Sequence, residues 1–127
     1  MKEILKKKGK EFLGDRFKLL SLNYNEMPEV YRGADVFTLP SWEREAFGLV
    51  YLEAMASNLP VVAPDDESRR EIIKDAGILV GVTDVDLYAK ALKEAAEKNF
   101  GDKPRRQAEK FSWDKISKEY IDLMESL

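Results

Sequence analysis

The sequence predicts an α/β domain on a short parallel sheet of about four strands, and three observations predict it. Brief apolar runs recur at residues 17–22, 36–39, 61–63 and 78–80, and most lack the polar alternation of strands with one wet face. Between the runs, apolar residues return at three- and four-residue spacings, which is the period of helices. With 127 residues, 44% hydrophobic and 35% charged, the chain holds enough apolar surface for one core and is expected to fold as a single unit.

The elements follow in order. Residues 17–22 form the first expected strand, and Pro28 suits the first turn of a short helix after it. Ala34-Asp35-Val36-Phe37-Thr38-Leu39-Pro40 has the β-branched and aromatic content of the next strand, stopped by Pro40, which lacks a backbone donor. After Gly48 the period changes. Leu49, Leu52 and Ala56, with Val50, Met55 and Leu59 on the adjoining stripe, predict a helix that starts near Gly48 and ends at Asn58. The third strand follows at once. Ser68-Arg69-Arg70-Glu71 reads as a capping box, and Thr83-Asp84-Val85-Asp86 as a similar one on either side of the fourth strand. The helix over 84–98 sets Leu87, Ala91, Leu92 and Ala95 on one face. Beyond a turn at Asn99-Phe100-Gly101-Asp102-Lys103-Pro104, the last helix aligns Ile116, Tyr120, Leu123 and Leu127, and both faces are expected in the core.

Composition removes several function classes. A net charge of -3 leaves no excess of Lys or Arg for a phosphate backbone, so nucleic-acid binding is not expected. No secretory apolar segment and no run of membrane-spanning length is present, and a cytoplasmic location is the expectation. Cys 0 and His 0 exclude disulfides, most zinc and copper sites, and nucleophilic mechanisms that need either residue. A general base would have to be a carboxylate, a lysine or a tyrosine.

The richest chemistry lies in Glu45-Ala46-Phe47-Gly48-Leu49-Val50-Tyr51-Leu52-Glu53. Glu45 precedes the helix start and Glu53 lies about one and a half turns inside it, while the first amides, at Gly48 and Leu49, face the positive end of the dipole without intrahelical partners. Gly48 lets a phosphate approach the backbone, and the two carboxylates can accept hydrogen bonds from hydroxyl groups on either side. A ligand of hydroxyl-rich rings joined by phosphates fits that layout. The plainer reading is that Glu45 complements the dipole and Glu53 is a solvated helix residue. Pro64-Asp65-Asp66-Glu67 offers hard-oxygen ligands at a strand end, with a solvated loop as the stronger alternative. Trp42 has the flat ring for stacking on a sugar or base, or for packing on the neighbouring loop.

The run from Ala34 to Ser41, then Glu45-x-Phe47-Gly48-Leu49, Glu53-Ala54-Met55-Ala56 and Leu59-Pro60-Val61-Val62-Ala63, resembles the donor-binding segment of family 4 glycosyltransferases, whose signature is two glutamates separated by seven residues. Tyr24 to Ala34, Asp75 to Val80 and Phe111-Ser112-Trp113 extend the resemblance over nearly the whole chain. It implies a Rossmann-like three-layer αβα fold, the C-terminal half of the GT-B architecture. It also implies a retaining transfer of a hexosyl group from a nucleotide-diphosphate sugar to an acceptor hydroxyl, without metal or other cofactor. By the same resemblance Glu45 is catalytic and contacts the donor sugar, Phe47, Gly48 and Leu49 hold the diphosphate and sugar, and Glu53 binds the ribose hydroxyls.

The resemblance further implies a partial domain over residues 1–127. The helix over residues 2–13 resembles the one before the third strand of a donor domain, so the acceptor domain and the first two donor strands are expected to be absent, and the isolated chain to be inactive. A homodimer through an exposed sheet edge or helices is expected in consequence. The alternative function is a binding or assembly module that keeps the fold without transferase activity. Family members often carry paired glycines before the glutamate matching Glu71, where this chain has Glu67-Ser68-Arg69-Arg70. Arg69 or Arg70 would there reach a phosphate or an acidic sugar, or else form a solvent-facing salt bridge.

Overall fold

The computed structural model describes residues 2–40, 49–81 and 83–126. In chain order these form α1 (Lys2–Leu13), α2 (Met27–Gly33), β1 (Phe37–Thr38), α3 (Leu49–Ala56), β2 (Val61–Pro64), α4 (Glu67–Ile73), β3 (Gly77–Val80), α5 (Val85–Glu97), α6 (Lys103–Glu109) and α7 (Trp113–Glu125). The sheet is parallel, in the order β1-β2-β3, with Phe37 opposite Val61 and Val61 opposite Gly77. The α/β class read from the sequence is therefore the observed one, with helices on both sheet faces.

Strand β2 is central, and all of its residues are buried. Because successive side chains of a strand point to opposite faces, Val61 and Ala63 enter one cluster and Val62 another. The first contains Tyr31, Tyr51, Ala54, Met55, Leu59 and Ile73, from α2, α3, α4 and the loop into β2. The second sets Val62 against Ala91, Ala95 and Phe100, on and just after α5. Gly77 is required where β3 meets β2. Its backbone is extended, so the constraint is space: a β-carbon there would fall inside the Val61 carbonyl.

Local signals place most element ends. Pro28 occupies the first turn of α2 as expected. Asn58 closes α3 in the left-handed region at φ 62. Its amide donates to Gly101 O (2.9 Å) and its carbonyl oxygen accepts from Arg105 N (3.2 Å), tying the end of α3 to the turn before α6. Asp84, one residue beyond the Thr83 that opens the box read from the sequence, caps α5 through Leu87 N at 3.0 Å. Helix α4 begins earlier than the Ser68 box predicts: Asp66, two residues after β2, is the cap and accepts from Arg69 N at 2.9 Å.

Two expectations about the sheet and core are corrected. Residues 17–22 are not a strand, so among the described residues the sheet has three strands and not about four. Phe17 lies over Gly9 of α1, and Leu19, Leu20 and Leu22 are exposed. Apolar content alone does not make a strand, which also needs a partner ladder and cover on its faces. Helix α7 likewise follows its predicted period, but Tyr120 and Leu123 are 65% and 60% exposed while Ile116 is partly covered, and Leu127 lies outside the described residues. In α5, Ala91 and Ala95 are buried as expected while Leu87 is exposed.

Gly77→Ala should destabilise the domain by at least about 2 kcal/mol, since backbone on both strands must shift to admit the methyl group. Urea unfolding followed by circular dichroism measures this. A midpoint equal to that of the parent chain would disprove the close approach.

Candidate functional site

The strand order places β1 at one edge of the sheet, and the carboxyl ends of β1 and β2 open onto the same rim as the start of α3 and α4. In parallel α/β sheets that rim is where ligands bind. Of the residues singled out from the sequence, Glu45, Phe47 and Gly48 lie outside the described residues, as does Trp42. Leu49 and Glu53 are described, and both belong to α3. Leu49 is the first described residue of the helix and is exposed. Glu53 follows one turn later on the same helical face and is half-buried.

Glu53 is held from α2. The Tyr31 hydroxyl donates to its Oε2 at 3.2 Å. Tyr31 is buried, and its ring meets Phe37 edge-on, with centroids 6.0 Å apart. Phe37 meets Tyr51 in the same way, at 6.0 Å and 84° between planes. Burial, and then the neighbouring Glu53 carboxylate, push the Tyr31 phenol above its usual range, so it stays protonated and able to donate.

A second chain of polar contacts fixes the exit of β1. The Tyr51 hydroxyl donates to Leu39 O at 3.0 Å and accepts from Arg69 Nε at 3.0 Å. Arg69 also pairs with Asp66 and stacks over the Tyr51 ring, its guanidinium carbon 5.8 Å from the centroid. Burial works against the Arg69 charge, but hydrogen bonds to Tyr51 and Asp66 outweigh it and raise its pKa. On the other face, Thr38 Oγ1 donates to Val62 O at 2.7 Å, and Tyr88 reaches both that carbonyl (3.2 Å) and Thr38.

The two arginines thus behave differently. Arg69 is 4% exposed and belongs to the framework, contrary to the solvent-facing salt bridge weighed for it. Arg70 is exposed and pairs with Asp65 at 2.6 Å, as that reading expected; this hydrogen bond holds the Asp65 carboxyl below its usual pKa. With Asp66 capping α4 and paired to Arg69, and Asp65 paired to Arg70, the Asp65-Asp66 pair is engaged by cations of its own helix. Among the described residues no group of three or more Asp or Glu side chains is arranged to hold a metal ion. Sequence reasoning missed the roles of Tyr31 and Tyr51. No spacing rule links either to its partner, because the contacts join separate elements.

The family model described as Glycosyl transferases group 1 matches residues 2–112. A D-inositol 3-phosphate glycosyltransferase from Salinispora tropica is 34% identical over 106 residues, covering 78% of this chain and 22% of that protein. The lipopolysaccharide core biosynthesis mannosyltransferase LpsB of Rhizobium meliloti is 34% identical over 111 residues, 84% of this chain and 30% of the relative. The O-antigen chain mannosyltransferase B of Escherichia coli is 32% identical over 102 residues, with coverages of 76% and 26%. The chain therefore spans under a third of the length of these curated relatives.

Arg69→Ala should lower stability by about 2–3 kcal/mol, the scale for losing hydrogen bonds to a charged group. Arg70→Ala, which removes only a solvent-facing pair, should leave the unfolding midpoint near the parent value. Equal effects of the two substitutions in denaturant unfolding would show that Arg69 is not part of the framework.

Proposed function

The chain belongs to the group 1 glycosyltransferases, and from that premise we propose that it is the donor-binding part of a retaining transferase acting on a nucleotide-diphosphate sugar. The carrying observation is Glu53, half-buried one turn into α3 at the ligand rim, with its carboxylate already oriented by a buried phenol. In this reading Glu53 accepts hydrogen bonds from the ribose hydroxyls, and Phe47, Gly48 and Leu49 hold the diphosphate at the start of the helix. Glu45 contacts the donor sugar.

In the reaction so assigned, the bond from the anomeric carbon to the diphosphate oxygen breaks. A bond from that carbon to the acceptor oxygen forms on the same face, and the acceptor proton leaves with the diphosphate. Amides at the helix start offset charge developing on the departing oxygen. Acceptor contacts, and the remaining wall of the donor pocket, are assigned to protein outside these 127 residues. The chain alone is therefore expected to bind donor without turning it over.

Self-association belongs to the same proposal. Ile4, Leu5, Phe12 and Leu13 of α1, together with Leu19 and Leu20, are exposed apolar side chains, and β1 lies at an edge of the sheet. Closed pairing of two copies is the simplest way to cover them. Sedimentation velocity should show a dimer whose fraction grows with concentration, and a strictly monomeric profile at high concentration would count against it.

Calorimetric titration of the chain with UDP and with GDP tests donor binding. Binding of one of them, weakened at least about 10-fold by Glu53→Ala, is the expected result. Absence of binding by the parent chain would overturn the donor reading for it.

A further inference from the structure

Glu53 could have been an ordinary surface carboxylate with a side chain free to rotate. Instead its Oε2 is met by the Tyr31 hydroxyl at 3.2 Å, from a different helix and 22 residues away in sequence. Tyr31 is 7% exposed and cannot swing away, because Phe37 of β1 packs against its ring edge and Tyr51 of α3 packs against Phe37. The phenol is thus a fixed donor at the end of an aromatic stack that crosses from α2 through β1 to α3.

A vicinal diol presents two hydroxyl donors at a set separation, and a carboxylate receives both only when its plane is turned toward them. A glutamate has three side-chain torsions, and leaving them free would cost binding energy when the ligand orders them. One hydrogen bond from an immobile phenol restricts them beforehand. It uses part of the acceptor capacity of Oε2 and leaves Oε1 for incoming hydroxyls.

We propose that Tyr31 is the positioning residue that turns the Glu53 carboxylate toward the ribose diol, so that Tyr31 sets the preference for ribose over deoxyribose in the donor nucleotide. This rests on the assignment of Glu53 to the ribose. Phenylalanine at position 31 would fill the same space and keep the stack with Phe37, but it would release the carboxylate. The hydroxyl is therefore separable from the packing.

The test compares UDP and GDP with their 2′-deoxy counterparts on the parent chain, Tyr31→Phe and Glu53→Ala, by calorimetry. The expected result is that the parent prefers the ribonucleotide, that Glu53→Ala abolishes the preference, and that Tyr31→Phe loses about 5- to 10-fold in ribonucleotide affinity. Its deoxynucleotide affinity and thermal midpoint should stay near the parent values. A Tyr31→Phe chain that loses both ligands equally, or neither, overturns the positioning role while a sensitive Glu53→Ala leaves the ribose assignment standing. If the parent binds but Glu53→Ala changes nothing, the ribose assignment itself is wrong, and the role of Tyr31 falls with it.

Discussion

Everything in this fold depends on one short strand losing all contact with water. Val61 to Pro64 are buried and paired with β3 along their whole length, and Val61 and Val62 also with β1, so β2 can exist only if helices cover it above and below and neighbouring strands supply its hydrogen bonds. This single requirement explains the two clusters and the glycine at position 77. Val61 and Ala63 draw Tyr51, Met55 and Ile73 to one side. Val62 draws Ala91 and Ala95 to the other. The closeness of β3 follows from having no β-carbon opposite Val61.

The polar contacts at the strand ends act after that packing and do something different. Burying a tyrosine removes about 150–250 Å² from water, worth about 4–6 kcal/mol at ~25 cal/mol per Å². A single hydrogen bond returns about 1 kcal/mol net. Packing therefore decides that Tyr51 and Tyr31 are inside, and hydrogen bonds decide which way their hydroxyls point. Tyr51 pins Leu39 at the point where β1 gives way to the segment before α3, and Arg69 with Asp66 braces it from α4. Tyr31 directs its hydroxyl at Glu53. The framework and the candidate site share one aromatic stack, so a change at Phe37 would be felt by both.

Much of this was legible along the chain, but unevenly. The runs at 36–39, 61–63 and 78–80 became strands because each has neighbours on the sheet. The equally apolar run at 17–22 has none, and its leucines stay in water. Helix α7 shows the same limit: its period is right, yet period says only which residues share a face, not whether anything covers it. Asn58 could be read from sequence because a left-handed closure is local, and the start of α5 was legible to within one residue, the cap being Asp84 where the box read from the sequence begins at Thr83. Asp66 takes the place of the predicted Ser68 cap, its carboxylate accepting from Arg69 N.

The sequence by itself determined the α/β class, the place where α3 follows β1, and the family, since these rest on short-range period and on a motif whose residues lie on one stretch of chain. Only the tertiary structure decided that Tyr31 would reach Glu53 and that Arg69 would be buried while Arg70 was not. Each of those outcomes depends on how far one element stands from another across the sheet. No spacing within a single helix or strand encodes that distance.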